Sequence, residues 1–169
     1  DERGVERIAV PVAADADGDG DAVHCSSHHV HSSYSRGFAH VGLVRAMEEL
    51  GVTADLVGGT SMGAFFAALH AIGASSRDML AIGRETFVDR NHLNDYVWPS
   101  VSLIRGRKFL KRLRSVFGDT RIEDLRVPFY CISTNLTRGR QEVHDSGSLA
   151  VWVGTSMCVP GIAPPVAWN

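Results

Sequence analysis

Little in this chain supports a covalent scaffold. Cysteine occurs three times, at Cys25, Cys131 and Cys158, an odd and widely spaced set without a C-x-x-C pair. A disulfide framework is therefore not expected, and a reducing compartment fits. No apolar run is long enough to span a bilayer, and no charged-then-apolar leader opens the chain, so neither a transmembrane helix nor a signal peptide is expected. Charge of one sign is not in excess, with 17 Lys and Arg against 19 Asp and Glu. Nucleic acid is accordingly not an expected partner, and nothing calls for a cofactor. These absences leave a cytoplasmic protein, free or peripheral to a membrane. The chain starts at Asp1 rather than Met and stops at Trp168-Asn169 without a helix stop or polar tail, so a piece of something longer is expected.

What is present suits one globular core: 169 residues, of which 44% are hydrophobic. Ala13 to Ala22, AADADGDGDA, reads as an acidic, glycine-bearing linker. Val23 to Ser35 holds four histidines and five serines in thirteen residues and takes no assignment. Residues 1–35 are thus set apart from a domain spanning 36–169. From Arg36 to Leu50, apolar residues at Phe38, Val41, Val44 and Met47 make a wide helical face, with Gly51 as its stop. Asp55 to Gly58 reads as a short buried strand and Ser61 to Ile72 as a nearly all-apolar helix. Further helices are expected at Ser76 to Arg84, Arg107 to Phe117 and Leu149 to Ser156, with strands at Val127 to Thr134 and Gln141 to His144. That alternation points to an α/β fold with a largely parallel sheet.

The chemistry concentrates in Gly59-Thr60-Ser61-Met62-Gly63, a G-x-S-x-G motif between the short strand and the apolar helix. Glycines on both sides let a strand turn sharply into a helix and present the serine at the sheet's edge. The helix N-terminus beneath it offers N–H groups and a positive dipole end to an anionic transition state. The competing reading makes Ser61 only a helix cap.

RGFAHVGLVRAMEELGVTADLVGGTSMGAFFAALHA, then RGRKFLKRLRSVFGDTRIEDLRVPFYCISTNLTRG and SMCVPGIAPPV, resemble the patatin-like phospholipases, in particular the bacterial branch related to neuropathy target esterase. The likeness covers about residues 36 to 169. It implies a three-layer α/β/α fold, incomplete here at its C-terminal end, with a mostly parallel sheet. It also implies hydrolysis of acyl esters of phospholipids or lysophospholipids, hence lipid degradation, by a Ser-Asp dyad without a catalytic histidine. The nucleophile of that dyad falls on Ser61.

Two departures from the family pattern stand out. A glycine-rich run whose backbone N–H groups form the family's oxyanion hole is replaced here by Ser32-Ser33-Tyr34-Ser35-Arg36-Gly37. A Cβ then enters a space that glycine keeps open. The oxyanion contacts implied for this chain are Arg36 and Gly37 with the preceding amides of Ser35 and Tyr34. Arg36 could also meet a lipid phosphate. The second departure concerns the base. The family's aspartate, in D-G-A or D-G-G, follows the P-G-x-x-P-P segment, which here is Pro160 to Pro165, so that carboxylate is expected beyond Asn169. Asp17-Gly18 and Asp19-Gly20 precede the nucleophile, and Asp145 precedes the proline segment. His70 lies nine residues along the nucleophile helix, roughly 13 Å away along the axis. Spacing does not select among His40, His92 and His144.

Other constellations read as structural. Asp15, Asp17, Asp19 and Gly20 match the first half of a calcium loop, but Ser26 stands at the twelfth position in place of Glu. His24, Cys25, His28, His29 and His31 lack a second half to close a zinc site, so no metal is expected. Six cations between Arg105 and Arg114 surround Phe109, Leu110, Leu113, Val116 and Phe117. A solvated helix packing its apolar side on the core is favoured over one lying on an anionic membrane. Trp98 beside Pro99 reads as packing. The expected function is a serine ester hydrolase acting on lipid or lysophospholipid esters, as a soluble or membrane-peripheral protein. The alternatives are a catalytically inactive remnant or binding module, and acyl transfer to an acceptor other than water.

Overall fold

The computed structural model describes residues 30–89 and 106–159 together with 163, 165 and 166, and for residues 30–36 the backbone alone. The expected linker at Ala13 to Ala22, the calcium-like loop, Trp98 and His92 lie outside the described residues, as do most of the histidine cluster and most of the proline segment. The first element, α1 (Val30–Leu50), begins six residues before the expected Arg36 start and takes the Ser-rich stretch into the helix. Val41, Val44 and Met47 are its buried stripe, three residues apart. It ends where Gly51 adopts φ +68°, with Val52 N–H donating to Met47 O (2.9 Å) and Gly51 N–H to Glu48 O (3.3 Å). That paired closure of the last turn needs a left-handed residue, which glycine supplies without a Cβ penalty.

β1 (Val57–Thr60) leads through Ser61 into α2 (Met62–Ala71), in which every residue but His70 is buried. α3 (Ser76–Arg84) is capped by Ser75, whose hydroxyl oxygen accepts the Asp78 N–H, and it runs on as a wider turn through Glu85–Asp89. α4 (Arg107–Phe117) is the basic helix, and Phe109, Leu113 and Phe117 are its buried stripe. β2 (Phe129–Asn135), β3 (Arg140–His144) and α5 (Leu149–Ser156) follow.

The sheet order is β1-β2-β3. β1 and β2 run parallel, from Val57 opposite Phe129 to Thr60 opposite Ile132, and β2 and β3 form an antiparallel hairpin. The fold is thus α/β with a small mixed sheet, whose parallel character rests on the β1–β2 pair. A single core joins the layers. Phe65 on α2 meets Phe66, Phe87 and Phe117 edge-on at centroid separations of 5.0–5.8 Å. Such edge-on pairs add to the area these rings remove from water. α4 therefore spends its apolar face on the core, as the sequence pattern favoured.

Candidate active site

The site is built on the turn from β1 into α2. Ser61 has φ 54° and ψ −122° and is the non-glycine residue with positive φ among the described residues. That backbone costs on the order of 1–3 kcal/mol and persists only where the surroundings impose it. The glycines of the motif are part of what imposes it. A Cβ on Gly59 would fall 2.5 Å from the carbonyl carbon of Gly63 and 2.6 Å from the nitrogen of Ala64, so strand and helix backbones pass in direct contact. Thr60, half-buried, closes the strand, and Met62, fully buried, opens the helix. Ser61 remains partly exposed, and its side chain makes no cap bond to α2. The cap-only reading of this serine is thereby removed.

Behind the elbow lies α1. A Cβ on Gly37 would come within 2.8 Å of Met62 Cε and 3.2 Å of Phe66 Cε2, so Gly37 is where α1 presses on the first turn of α2. Phe38 continues the contact edge-on to Phe66 at 5.5 Å. Tyr34, Ser35 and Arg36, expected in an oxyanion loop, are helical residues of α1. From the fifth residue of a helix onward, each N–H points at the carbonyl four residues back. The amides of Tyr34 to Gly37 thus have acceptors inside α1, because Val30 to Ser33 form the turn before them. The N–H groups at the start of α2 have no acceptor within their own helix, and they sit directly under Ser61.

Among the described residues no carboxylate or imidazole is hydrogen-bonded to Ser61. The three histidines whose side chains are described have other surroundings. His144 Nε2 lies 2.7 Å from the Ser133 hydroxyl, with its ring stacked on Trp152 at 3.7 Å. His40 and His70 line a small apolar cavity between α1 and α2 with Val44, Met47, Phe66 and Ala67. Burial lowers the pKa of all three rings, against a weaker upward pull from Glu48 at His70 and from Glu142 and Asp145 at His144. Asp145 is exposed just beyond β3. Cys131 and Cys158 are free, and burial pushes the Cys131 thiol up to about 12.

The sequence reading missed Ser156. Its hydroxyl accepts the Ser61 N–H at 2.9 Å and donates to Ile132 O at 2.6 Å. The one available signal was a serine closing a short apolar helix just before the proline segment.

Fold and site together define an α/β domain with a strand–serine–helix elbow of the kind that presents a nucleophile. A family model described as patatin-like phospholipase matches residues 34–169, and the chain belongs to that family. It is 42% identical over 137 residues to lysophospholipase nte1 of Emericella nidulans, a match covering 78% of this chain and 9% of that protein. Identity to lysophospholipase NTE1 of Pyricularia oryzae is 41% over 137 residues, with the same coverage. The lysophospholipase NTE1 of Saccharomyces cerevisiae is 38% identical over 142 residues, 80% of this chain and 8% of that protein. The chain thus spans about a tenth of the length of the curated relatives it matches.

Proposed function

We propose that this domain carries the nucleophile of a serine hydrolase acting on acyl esters of phospholipids or lysophospholipids. The observation that carries the reading is the Ser61 backbone: φ 54° at a strand-to-helix turn, with the hydroxyl left uncapped and partly exposed. A serine used only to start a helix would sit in extended backbone and bond the N–H two or three residues on. In this reading Ser61 Oγ attacks the acyl carbonyl while its proton passes to an aspartate that follows the proline segment in the longer protein. The carbonyl oxygen becomes an oxyanion facing the first N–H groups of α2 and the positive end of its dipole. Collapse expels the lipid alkoxide, which takes the proton back from the aspartate. The acyl-enzyme is then hydrolysed by water with the same carboxylate as base.

The substrate class follows from the relatives, which are named lysophospholipases. A cytoplasmic, membrane-peripheral placement accords with it. Arg107, Lys111 and Arg114 are exposed on α4, where they would meet anionic head groups by charge alone, since the helix's apolar face is used in the core. Gly37 belongs to this proposal as the residue of α1 that meets Met62 at the start of α2, and Arg36 beside it in sequence is the candidate for a lipid phosphate.

A specific observation favours a second reading, a catalytically silent binding module. α1 draws Tyr34 and Ser35 into a helix, which leaves fewer amides for an oxyanion than a loop would. The two readings are separated by intact-mass detection of fluorophosphonate labelling, with Ser61→Ala as control. Labelling of the parent that is lost in the variant supports the hydrolase. A folded parent that takes no label in a chain extended through the aspartate motif supports the silent module.

A further inference from the structure

The β1–β2 ladder runs out one residue before the nucleophile, and a side chain takes the place of its next rung. Val57 N–H donates to Pro128 O at 2.9 Å, and Val57 is paired with Phe129. In a parallel pair each bonding N–H on one strand recurs every second residue and meets the carbonyl preceding its partner. The same parity assigns Gly59 N–H to Tyr130 O and Ser61 N–H to Ile132 O. The final rung is not made directly, because Ser61 leaves the strand at φ 54°. The Ser156 hydroxyl stands between its two ends, accepting from Ser61 N–H at 2.9 Å and donating to Ile132 O at 2.6 Å.

A hydroxyl is the smallest side-chain group that can both accept and donate, so it satisfies an N–H and a C=O that have been drawn apart. Its neighbours on and just after α5 behave differently. Thr155 Oγ1 donates to Val151 O and Cys158 Sγ to Gly154 O, each back onto its own helix end. Ser156 instead turns across to two other elements, 95 residues away in sequence on one side and 24 on the other.

We propose that Ser156 is a positioning residue for Ser61: its hydroxyl replaces the missing β1–β2 rung and thereby holds the nucleophile's backbone out of the sheet. This rests on the reading of Ser61 as nucleophile. Without the hydroxyl, the Ser61 N–H and Ile132 C=O recover a partner by closing on each other, which returns residue 61 to extended backbone and withdraws Oγ from the helix N-terminus. Ser156 touches no reacting atom and acts through the main chain alone.

The test is the rate of Ser61 labelling by a fluorophosphonate in the parent and in Ser156→Ala, Ser156→Thr and Ser156→Cys, each checked for folding by thermal unfolding. A misplacement of about 1 Å at a reacting atom costs on the order of 100-fold. Ser156→Ala is therefore expected to label about tenfold to 100-fold more slowly, at unchanged apparent affinity for the probe. Ser156→Thr, which keeps the hydroxyl, is expected within about threefold of the parent. Should the alanine variant not fold, Ser156→Cys, a weaker donor, is expected to fall well below the threonine variant. Equal rates in alanine and threonine variants overturn the proposal. If the parent takes no label even in a chain extended through the aspartate motif, the nucleophile reading fails by itself. The positioning claim is then decided by the Ser61 Cα and Cβ chemical shifts, which move toward extended-strand values in Ser156→Ala and stay in Ser156→Thr. Unmoved shifts in both overturn it.

Discussion

Gly59 and Gly63 approach so closely across the elbow that a Cβ on the first would lie 2.5 Å from the carbonyl carbon of the second. Real Cβ atoms do not sit that near backbone, and neither backbone is free to give way. One belongs to a strand paired with β2 and the other to a helix with all but one residue buried. Gly59→Ala is therefore expected to destabilise the domain by about 2–3 kcal/mol, the upper range for forcing extra volume into a packed site. The companion Gly42→Ala, where an added Cβ meets nothing within 4 Å, is expected to be neutral or to stabilise by about 0.5–1 kcal/mol through helix propensity. Denaturant unfolding of the two variants checks the contrast, and equal midpoints would remove the close approach as the reason for the motif's first glycine.

Ser61 supports a prediction of opposite sign. Glycine accepts φ 54° without a Cβ penalty, and the serine side chain makes no cap bond that would be lost. Ser61→Gly is expected to stabilise the fold by about 1 kcal/mol while abolishing fluorophosphonate labelling. Over a chain of this size that amounts to a rise of about 2–4 °C in unfolding midpoint. A fall in midpoint would mean that the elbow carries no stored strain.

The elements that were legible in the sequence are those in which period and punctuation agree. α4 shows its buried stripe as Phe109, Leu113 and Phe117, and Gly51 marks the end of α1. The elbow was legible because Gly59, Ser61 and Gly63 have no cheap structural alternative in that order. The start of α1 was not. Val30 to Ser35 are three serines with a valine, a histidine and a tyrosine, residues of indifferent helix propensity, the serines also hydrogen-bonding in turns. Their local preference gives no helix signal, and continuity with the Gly37-to-Leu50 face decides the matter. Ser156 was invisible for a different reason. Its role is to meet Ser61 N–H and Ile132 O, and a contact between residues 95 apart leaves no local pattern.

On α4 the cations divide into one structural arginine and several outward ones. Arg112 is 15% exposed, with Nη2 donating to Glu85 Oε2 at 2.8 Å and Nε to Thr86 Oγ1 at 3.1 Å. Thr86 is itself buried and donates to Ile82 O at 2.6 Å, so Arg112 ties α4 to the end of α3. Arg112→Ala leaves Thr86 short of a donor and is expected to cost about 1–3 kcal/mol. Lys111→Ala, one residue away and exposed, is expected to change stability by less than about 0.5 kcal/mol. Thermal unfolding of both distinguishes a helix held by this junction from one held by its phenylalanines alone. On the membrane reading, only the lysine variant weakens binding to anionic vesicles without loss of stability.

The last prediction concerns acid. His40, His70 and His144 are half-buried, and burial lowers each pKa below its ordinary value of 6.5. The unfolded chain therefore takes up protons at these positions before the folded one does as pH falls. Their contribution to stability is fully present above about pH 6.5 and is lost as pH drops through the lowered folded values. Glu48 is also shifted down, chiefly by the Ser76 hydroxyl it binds, so its contribution is retained until pH falls below its ordinary 4.5. The histidine loss begins near pH 6.5, whereas that of Glu48 begins only below 4.5. An unfolding midpoint that falls between pH 7 and pH 5 is therefore assigned to the histidines. His40 is the cleanest probe, since burial alone shifts it and it lines an apolar cavity with Val44 and Met47. His40→Gln removes one titrating group from that window and is expected to flatten the slope there while leaving the drop below pH 4.5 intact. Parallel curves for parent and variant would mean that the His40 ring titrates alike in both states and that the cavity wall does not exclude water from it.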